Sequence, residues 1–259
     1  MTADAPVPAR SGAQAVERAL SVLACFDEDG VADLGITALA HGTGLTASTV
    51  HRLVRALCVA GMLVQDSPSE RYRLGPQLVV LGRRAERHLG YARAEPVLER
   101  VASETGESVN LGVRADRDVL VVLDVSSEQP LRFDQATGTR VPVHTSAMGK
   151  CLLAFAPDIE AELVALGELV GVTDRTITDA ASLRAELERT RARGWSLNDE
   201  ERNPGVRAVG APVLHDGAAI AAVAVQGPTV RLTDGTLDRV AGVLTSAAED
   251  LARVLARGG

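Results

Sequence analysis

The chain has 259 residues, 46% of them hydrophobic and 24% charged, enough for one large or two ordinary globular domains. Aromatics are only 2%, so the core must be built from Val, Leu, Ile and Ala, and the formal net charge is −7. No run of about 18 apolar residues occurs, which excludes a membrane span and a membrane partner. The three cysteines, Cys25, Cys58 and Cys151, are far apart and form no CxxC pair, which excludes a disulfide framework.

The opening MTADAPVPAR has no basic start leading into an apolar core, so it does not read as a signal peptide. Residues 1–10 read as a disordered arm carrying Arg10. The cysteines then read as buried free thiols of a cytoplasmic protein. From Ala13 to Phe26, Val16, Leu20 and Leu23 share one helical face. A short helix fits Ile36–His41, and the glycines of GTGL allow a tight turn. Thr46 is placed to cap the next helix. In that helix Val50, Leu53, Val54 and Leu57 recur at helical spacing.

Met62, Leu63 and Val64 form a short apolar strand. Asp66, Ser67, Pro68 and Ser69 supply turn chemistry, and Arg71–Leu74 reads as the return strand. Helix, helix, turn, helix, hairpin is the order of a winged helix-turn-helix, here over residues 11–75. Pro76 suits the first turn of a linker helix over residues 76–91. Residues 92–259 then read as an α+β domain. A helix runs over Ala92–Glu104, followed by strands in SVNLGV, DVLVVLDV and PLRFDQ. Helices follow over Thr145–Phe155, Ile159–Leu166 and Ala180–Arg193. GWSLND, VRAVGAPVLHDG and AAIAAVAVQGP read as strands, the last two joined by a hairpin at Asp216–Gly217, and Leu237–Leu255 is a final helix.

Charge is uneven. Residues 1–90 hold nine Arg against nine Asp or Glu, so the whole excess of acid lies in the remainder. The outer face of the third helix has Ser48, Thr49, His51, Arg52 and Arg55, and no carboxylate. A recognition helix needs one face buried and the other readable, and a carboxylate there would meet phosphate. Thr46, Ser48 and Thr49 sit near the helix N-terminus, where backbone N–H groups favour phosphate. Arg52 and Arg55 suit guanine edges or phosphates. Arg71 and Arg73 of the wing, and Arg10 of the arm, would follow the neighbouring backbone or minor groove.

The chain resembles the IclR family of bacterial transcription regulators. The likeness runs from Ser11 to about Leu255. It rests on the joint order of SGAQAVERALSVL, ITALAHGTGLTASTVHRLVRAL, RYRLGPQLVVLG, ETGESVNLGV, PVHTSAMGKCLLA, RGWSLNDEERNPGVRAVGAPV and AAVAVQGP. The resemblance implies a winged helix joined to a GAF-like effector-binding domain, assembled as a homodimer or dimer of dimers. It implies a recognition helix over Ala47–Ala60 and a wing over Val64–Leu74. Dimer contacts would come from Val16–Phe26 and Leu78–Leu89. The effector pocket would involve SAMGK, LNDEE and GVRAV. Two positions depart from the pattern: Asn198 stands where the family often has an acid, and Ala208 where it often has cysteine.

These departures make the pocket neutral and roomier, which points to a larger, partly apolar acid, aromatic acids included. The expected contacts are Ser146, Ala147, Met148, Asn198, Val206 and Ala208, with Val113, Phe133, Met148 and Val223 as apolar walls. Backbone N–H groups at Ala147 and Met148 could hold a carboxylate. Lys150 reads as a structural or surface lysine, and Asp199, Glu200 and Glu201 as a solvated turn. His41, His51, His88, His144 and His215 show no ligand spacing, so no metal is expected.

The expected function is therefore a regulator, more readily a repressor, of a catabolic or metabolic operon. Its partners would be double-stranded operator DNA and a small organic-acid effector, with no cofactor. The alternatives are a small-molecule enzyme on the C-terminal domain and a protein-interaction adaptor. The first lacks a triad, metal cluster or cofactor fingerprint. Irrelevance of the arginines at 52, 55, 71 and 73 to DNA affinity would favour the second.

Overall fold

The computed structural model describes residues 11–27 and 31–256. Arg10 and the rest of the arm lie outside them. The chain divides into two compact units between Ala85 and Glu86.

The first unit holds α1 (Ser11–Ala24), α2 (Ile36–Thr43), α3 (Ala47–Val59), β1 (Leu63–Gln65), β2 (Tyr72–Leu74) and the start of α4 (Pro76–Leu89). Val50, Leu53 and Val54 of α3 are buried with Val22, Phe26, Leu39, Leu63 and Tyr72. Each such side chain contributes roughly 1.5–3 kcal/mol by leaving water. Gly44 ends α2 at φ 65°, a left-handed conformation that suits glycine. Thr46 caps α3 by accepting the Thr49 amide. In the hairpin, Leu63 pairs with Leu74 and Gln65 with Tyr72. Its turn is closed by Asp66, which accepts from the Ser69 amide (3.1 Å) and hydroxyl (2.6 Å).

The second unit begins with α5 (Tyr91–Thr105), β3 (Ser108–Ala115), β4 (Asp118–Val125) and β5 (Arg140–Pro142). A 3-10 turn (Val143–Thr145) leads into α6 (Ala147–Ala154), α7 (Ile159–Leu166) and α8 (Ala180–Arg193). Then come β6 (Ser196–Asp199), β7 (Val206–His215), β8 (Ala218–Pro228) and α9 (Asp234–Leu255). One antiparallel sheet runs β5-β4-β3-β8-β7-β6. Asp216 (φ 50°) and Gly217 (φ 80°) both take positive φ between β7 and β8, the requirement of a two-residue type I′ hairpin.

Strand alternation sorts the sheet into two faces. Val109, Leu111, Val209, Ala211, Val223 and Val225 pack with Leu98, Val240 and Leu244 of α5 and α9. Ala222 and Ala224 face the layer of α6, α7 and α8 with Met148, Leu153 and Leu187. Gly149 and Gly210 allow α6 to settle there. A Cβ on Gly149 would fall inside the Val143 backbone, and one on Gly210 would press on the Ala147 carbonyl.

Two expectations are corrected. PLRFDQ is not a strand, and the third strand of this region is β5 instead. Its polar groups find side-chain partners in place of a ladder: Ser108 donates to Asp134 (2.7 Å), and the Asn110 amide donates to the Gln135 carbonyl (2.8 Å). Of the cysteines only Cys151 is fully buried, its thiol pushed up to about 12 by desolvation. Cys25 and Cys58 are half-buried, because each lies at the margin of the small N-terminal core.

Gly149→Ala should lower the stability of the second unit by about 1–3 kcal/mol, since the backbone it would strike has no soft side chain to yield. The midpoint of a urea unfolding curve measures the change.

Candidate nucleic-acid interface and effector cavity

The outer face of α3 follows from its inner one. With Val50, Leu53 and Val54 turned inward, Ser48, His51, Arg52 and Arg55 are left exposed. Thr46 and Thr49 bond to one another through their hydroxyls (2.9 Å), and Ser48 approaches Thr46 at 3.2 Å. No ion pair among the described residues involves Arg52 or Arg55. The wing differs. Arg71 is committed to Asp33, whose carboxylate and carbonyl it bonds (2.9 Å to the carbonyl). Arg73 is exposed at the edge of the hairpin, opposite Val64.

In the second unit a cavity is lined by Phe133, Gln135, Ser146, Ala147, Met148, Asn198, Arg202, Asn203, Val206, Arg207, Ala208, Ala224 and Gln226. Its free volume is ≈ 30 Å³, room for one or two waters. Seven of the residues singled out from the sequence meet here: Phe133, Ser146, Ala147, Met148, Asn198, Val206 and Ala208. Val113 and Val223 do not. Both belong to the opposite face of the sheet, Val223 fully buried against the α5–α9 layer and Val113 packed beside it. The side chains of β8 that reach the cavity are Ala224 and Gln226.

Ser146 caps α6, accepting the Gly149 amide (3.0 Å). The amides of Ala147 and Met148 occupy the first two helical positions, where no intrahelical acceptor exists. Asn198 is largely used in building the wall: it donates to the Thr145 carbonyl (2.5 Å) and accepts from the Glu201 amide (3.1 Å). Gln226 donates to Asn110 (2.7 Å).

The segment between β6 and β7 forms a strap over this region. Its acids are not a solvated run. Glu201 is buried, and its carboxylate meets Lys150, whose side chain is wholly buried, at 2.5 Å. The Lys150 ammonium also donates to the Leu197 carbonyl. Asp199 is bonded by Arg207 (2.5 Å) and Arg175 (2.7 Å). These bonds, that of Arg207 first, hold its carboxyl below the usual aspartate range. Thr173 and Thr176 donate to the Glu200 and Glu201 carbonyls (2.8 and 2.6 Å).

Arg202 was not foreseen. The residue lines the cavity, and its NH1 is buried with no hydrogen-bond partner. Burial draws its pKa down. The sequence signal for this face was Asn110 and Gln226, polar residues within otherwise apolar strands; Arg202 itself was masked by the acids before it.

A winged helix-turn-helix followed in the chain by an α+β domain is the pattern of a DNA-binding regulator. Residues 87–253 match the family described as bacterial transcriptional regulator IclR C-terminal, and residues 15–67 match the IclR helix-turn-helix domain. The chain belongs to the IclR family of transcriptional regulators, which are DNA-binding regulators and not enzymes. It is 34% identical over 243 residues to the HTH-type transcriptional regulator BhcR of Paracoccus denitrificans, covering 93% of this chain and 86% of that one. It is 36% identical over 248 residues to the glycerol operon regulatory protein of Streptomyces griseus, covering 94% and 95%. A crystal structure of an IclR transcriptional regulator from Alicyclobacillus acidocaldarius superposes with a TM-score of 0.84 at 26% identity, covering 93% and 98%.

Lys150→Met should destabilise the second unit by roughly 3–5 kcal/mol, because Glu201 is left buried without its cation. Lys150→Met/Glu201→Leu should recover much of that loss in the same denaturation assay. For Asp199 the folded pKa is depressed, so its stabilisation is present above the ordinary value of about 4 and is lost as pH falls below it. Melting temperatures taken through the acid range should therefore fall less steeply for Asp199→Asn than for the wild type.

Proposed function

We propose that the chain represses a metabolic operon in the cytoplasm as a dimer, or dimer of dimers, and that a small organic acid bound in its cavity controls its hold on operator DNA. The observation that carries the DNA half is the outer face of α3: Arg52 and Arg55 are exposed and unpaired with acid among the described residues, while the inner face is buried. In this reading α3 enters the major groove, with Thr46, Ser48, Thr49 and His51 near the backbone and Arg52 and Arg55 on base edges or phosphates. Arg73 follows the adjacent phosphates, and Arg10 extends from the arm. Arg71 takes the same direction more weakly, since Asp33 already engages it.

Dimerisation is supported by exposed apolar side chains on two helices. Val16 and Leu20 of α1 are 61% and 59% exposed, and Val79, Val80 and Leu81 of α4 are 58%, 43% and 42% exposed. No side chain of α4 is buried within the chain. A second copy covers these faces and sets two recognition helices on half-sites about one helical turn apart, or a multiple of it. Ser146, Ala147, Met148, Asn198, Val206, Ala208 and Phe133 contact the effector. The acid exerts control only by binding one conformation better than the other.

Arg52→Ala should weaken binding to a duplex selected from a random-sequence pool by about 1–3 kcal/mol, with relaxed specificity at one base pair if it reads an edge. Arg71→Ala should cost less. Fluorescence anisotropy at several salt concentrations measures both, and an unchanged affinity for Arg52→Ala removes α3 from the interface. Val16→Glu/Leu81→Glu should yield monomers by sedimentation velocity.

A further inference from the structure

We infer that Arg202 is the charge partner of the effector's carboxylate, and that it makes the site selective for monocarboxylates with an apolar body over their uncharged analogues. The inference rests on the effector-cavity reading above and names the group that would read the ligand's charge.

A buried guanidinium nitrogen without an acceptor is costly, and in native proteins such a group calls for a ligand or an ordered water. NH1 of Arg202, a residue that lines the cavity, is in that state. Acids are close in sequence, yet none bonds it. Asp199 is bonded by Arg175 and Arg207, Glu201 by Lys150 through one oxygen while its Oε2 is buried without a partner, and Glu200 lies 3.5 Å from Arg175 and accepts the Gly205 amide (2.7 Å). No Asp or Glu lines the cavity, and its other arginine, Arg207, is held by Asp199 and Asp234. Once the internal ion pairs are closed, Arg202 is the lining cation with no carboxylate bonded to it among the described residues.

That charge is well placed to select a ligand. The preceding Glu201 is fixed by Lys150, and the Thr176 hydroxyl holds its carbonyl, so the backbone at Arg202 is preorganised. The remaining walls include Phe133, Met148, Ala208 and Ala224, which suit an apolar body. The amides of Ala147 and Met148 add weaker anion-favouring dipoles to the same space. The free volume of ≈ 30 Å³ accepts a carboxylate head; a ring must displace the half-buried Phe133 or Asn203 to follow it.

The test is calorimetric titration of the full chain with acetate, benzoate and phenylacetate, and with acetamide, benzamide and phenylacetamide as uncharged isosteres. Inorganic phosphate serves as a general anion. The wild type should bind at least one acid more tightly than its amide by about tenfold or more, the range of a charge-assisted hydrogen bond. Arg202→Gln should lose that preference by weakening the acid far more than the amide, while Arg202→Lys should keep part of it. Melting temperatures establish that the variants are folded. Equal affinity of Arg202→Gln for the acids, no acid–amide preference in the wild type, tighter binding of phosphate than of every acid, or no binding of any acid at millimolar concentration overturns the proposal. Ala208→Phe, which fills the cavity, separates the two levels. If it abolishes binding of acids and amides alike while neither is preferred, the cavity reading survives and the role of Arg202 fails. If binding ignores Ala208→Phe, the cavity itself is the wrong place.

Discussion

The second unit is organised around one buried ammonium. Lys150 projects from α6 with none of its side chain exposed, and it is held by the Glu201 carboxylate and the Leu197 carbonyl. Those acceptors belong to the strap and to β6, so one side chain ties the helix that caps the cavity to the segment that covers it. A buried ion pair adds little net stability over an apolar pair of the same shape, because desolvation offsets much of the attraction. What it imposes is register: an apolar contact can slide, and a charge that must find its partner cannot. Gly149 and Gly210 make this arrangement possible by letting α6 approach Val143 and β7 more closely than any side chain would allow. The strap is thereby tied at Glu201 to α6.

The acidic balance of the chain fits DNA binding because charge is divided between the units. Residues 1–90 are neutral overall, and the excess of −7 belongs to the remainder. Within the first unit the third helix has basic and hydroxyl side chains outward and no carboxylate. Affinity for phosphate depends on the local field at the contacting surface, screened over about 10 Å in ordinary salt, so distant acid has little influence on it.

Most of the fold was legible in the sequence because period and punctuation agreed. Helices α7 and α8 fall over Ile159–Leu166 and Ala180–Arg193, the spans read from the sequence, and the Asp216–Gly217 hairpin follows from its turn chemistry. The site was legible only in part, for reasons that can be named. Val113 and Val223 were assigned to the cavity by their chemistry, but the face of a strand is fixed by parity, and theirs is the parity of Leu111 and Val225. Gln226, one step out of phase in an apolar run, was the better marker. PLRFDQ alternates like a strand, yet Asn110 and Ser108 claim its groups through side chains, which no local pattern reveals. The acids of LNDEE looked solvated because their partners, Lys150, Arg175 and Arg207, are remote in sequence or on another strand.

The arrangement of those acids is also what isolates Arg202. Glu200 takes φ 61°, an uncommon conformation for a residue with a side chain, and the turn it makes sends Glu201 inward to Lys150. Arg202 is thereby left at the cavity with no carboxylate bonded to it, although Glu201 keeps one buried oxygen, Oε2, without a partner. A charge-assisted bond to a ligand there contributes about 1.5–3 kcal/mol, whereas moving a two-state equilibrium from almost wholly one form to almost wholly the other needs about 5.5 kcal/mol of differential affinity. One such contact therefore biases a monomer without switching it. Were both subunits of the proposed dimer to change state together, two sites would act on one equilibrium and their contributions would sum to about 3–6 kcal/mol. The same exposed faces of α1 and α4 that would align two recognition helices on DNA would then also be the reason a small acid is sufficient to control them.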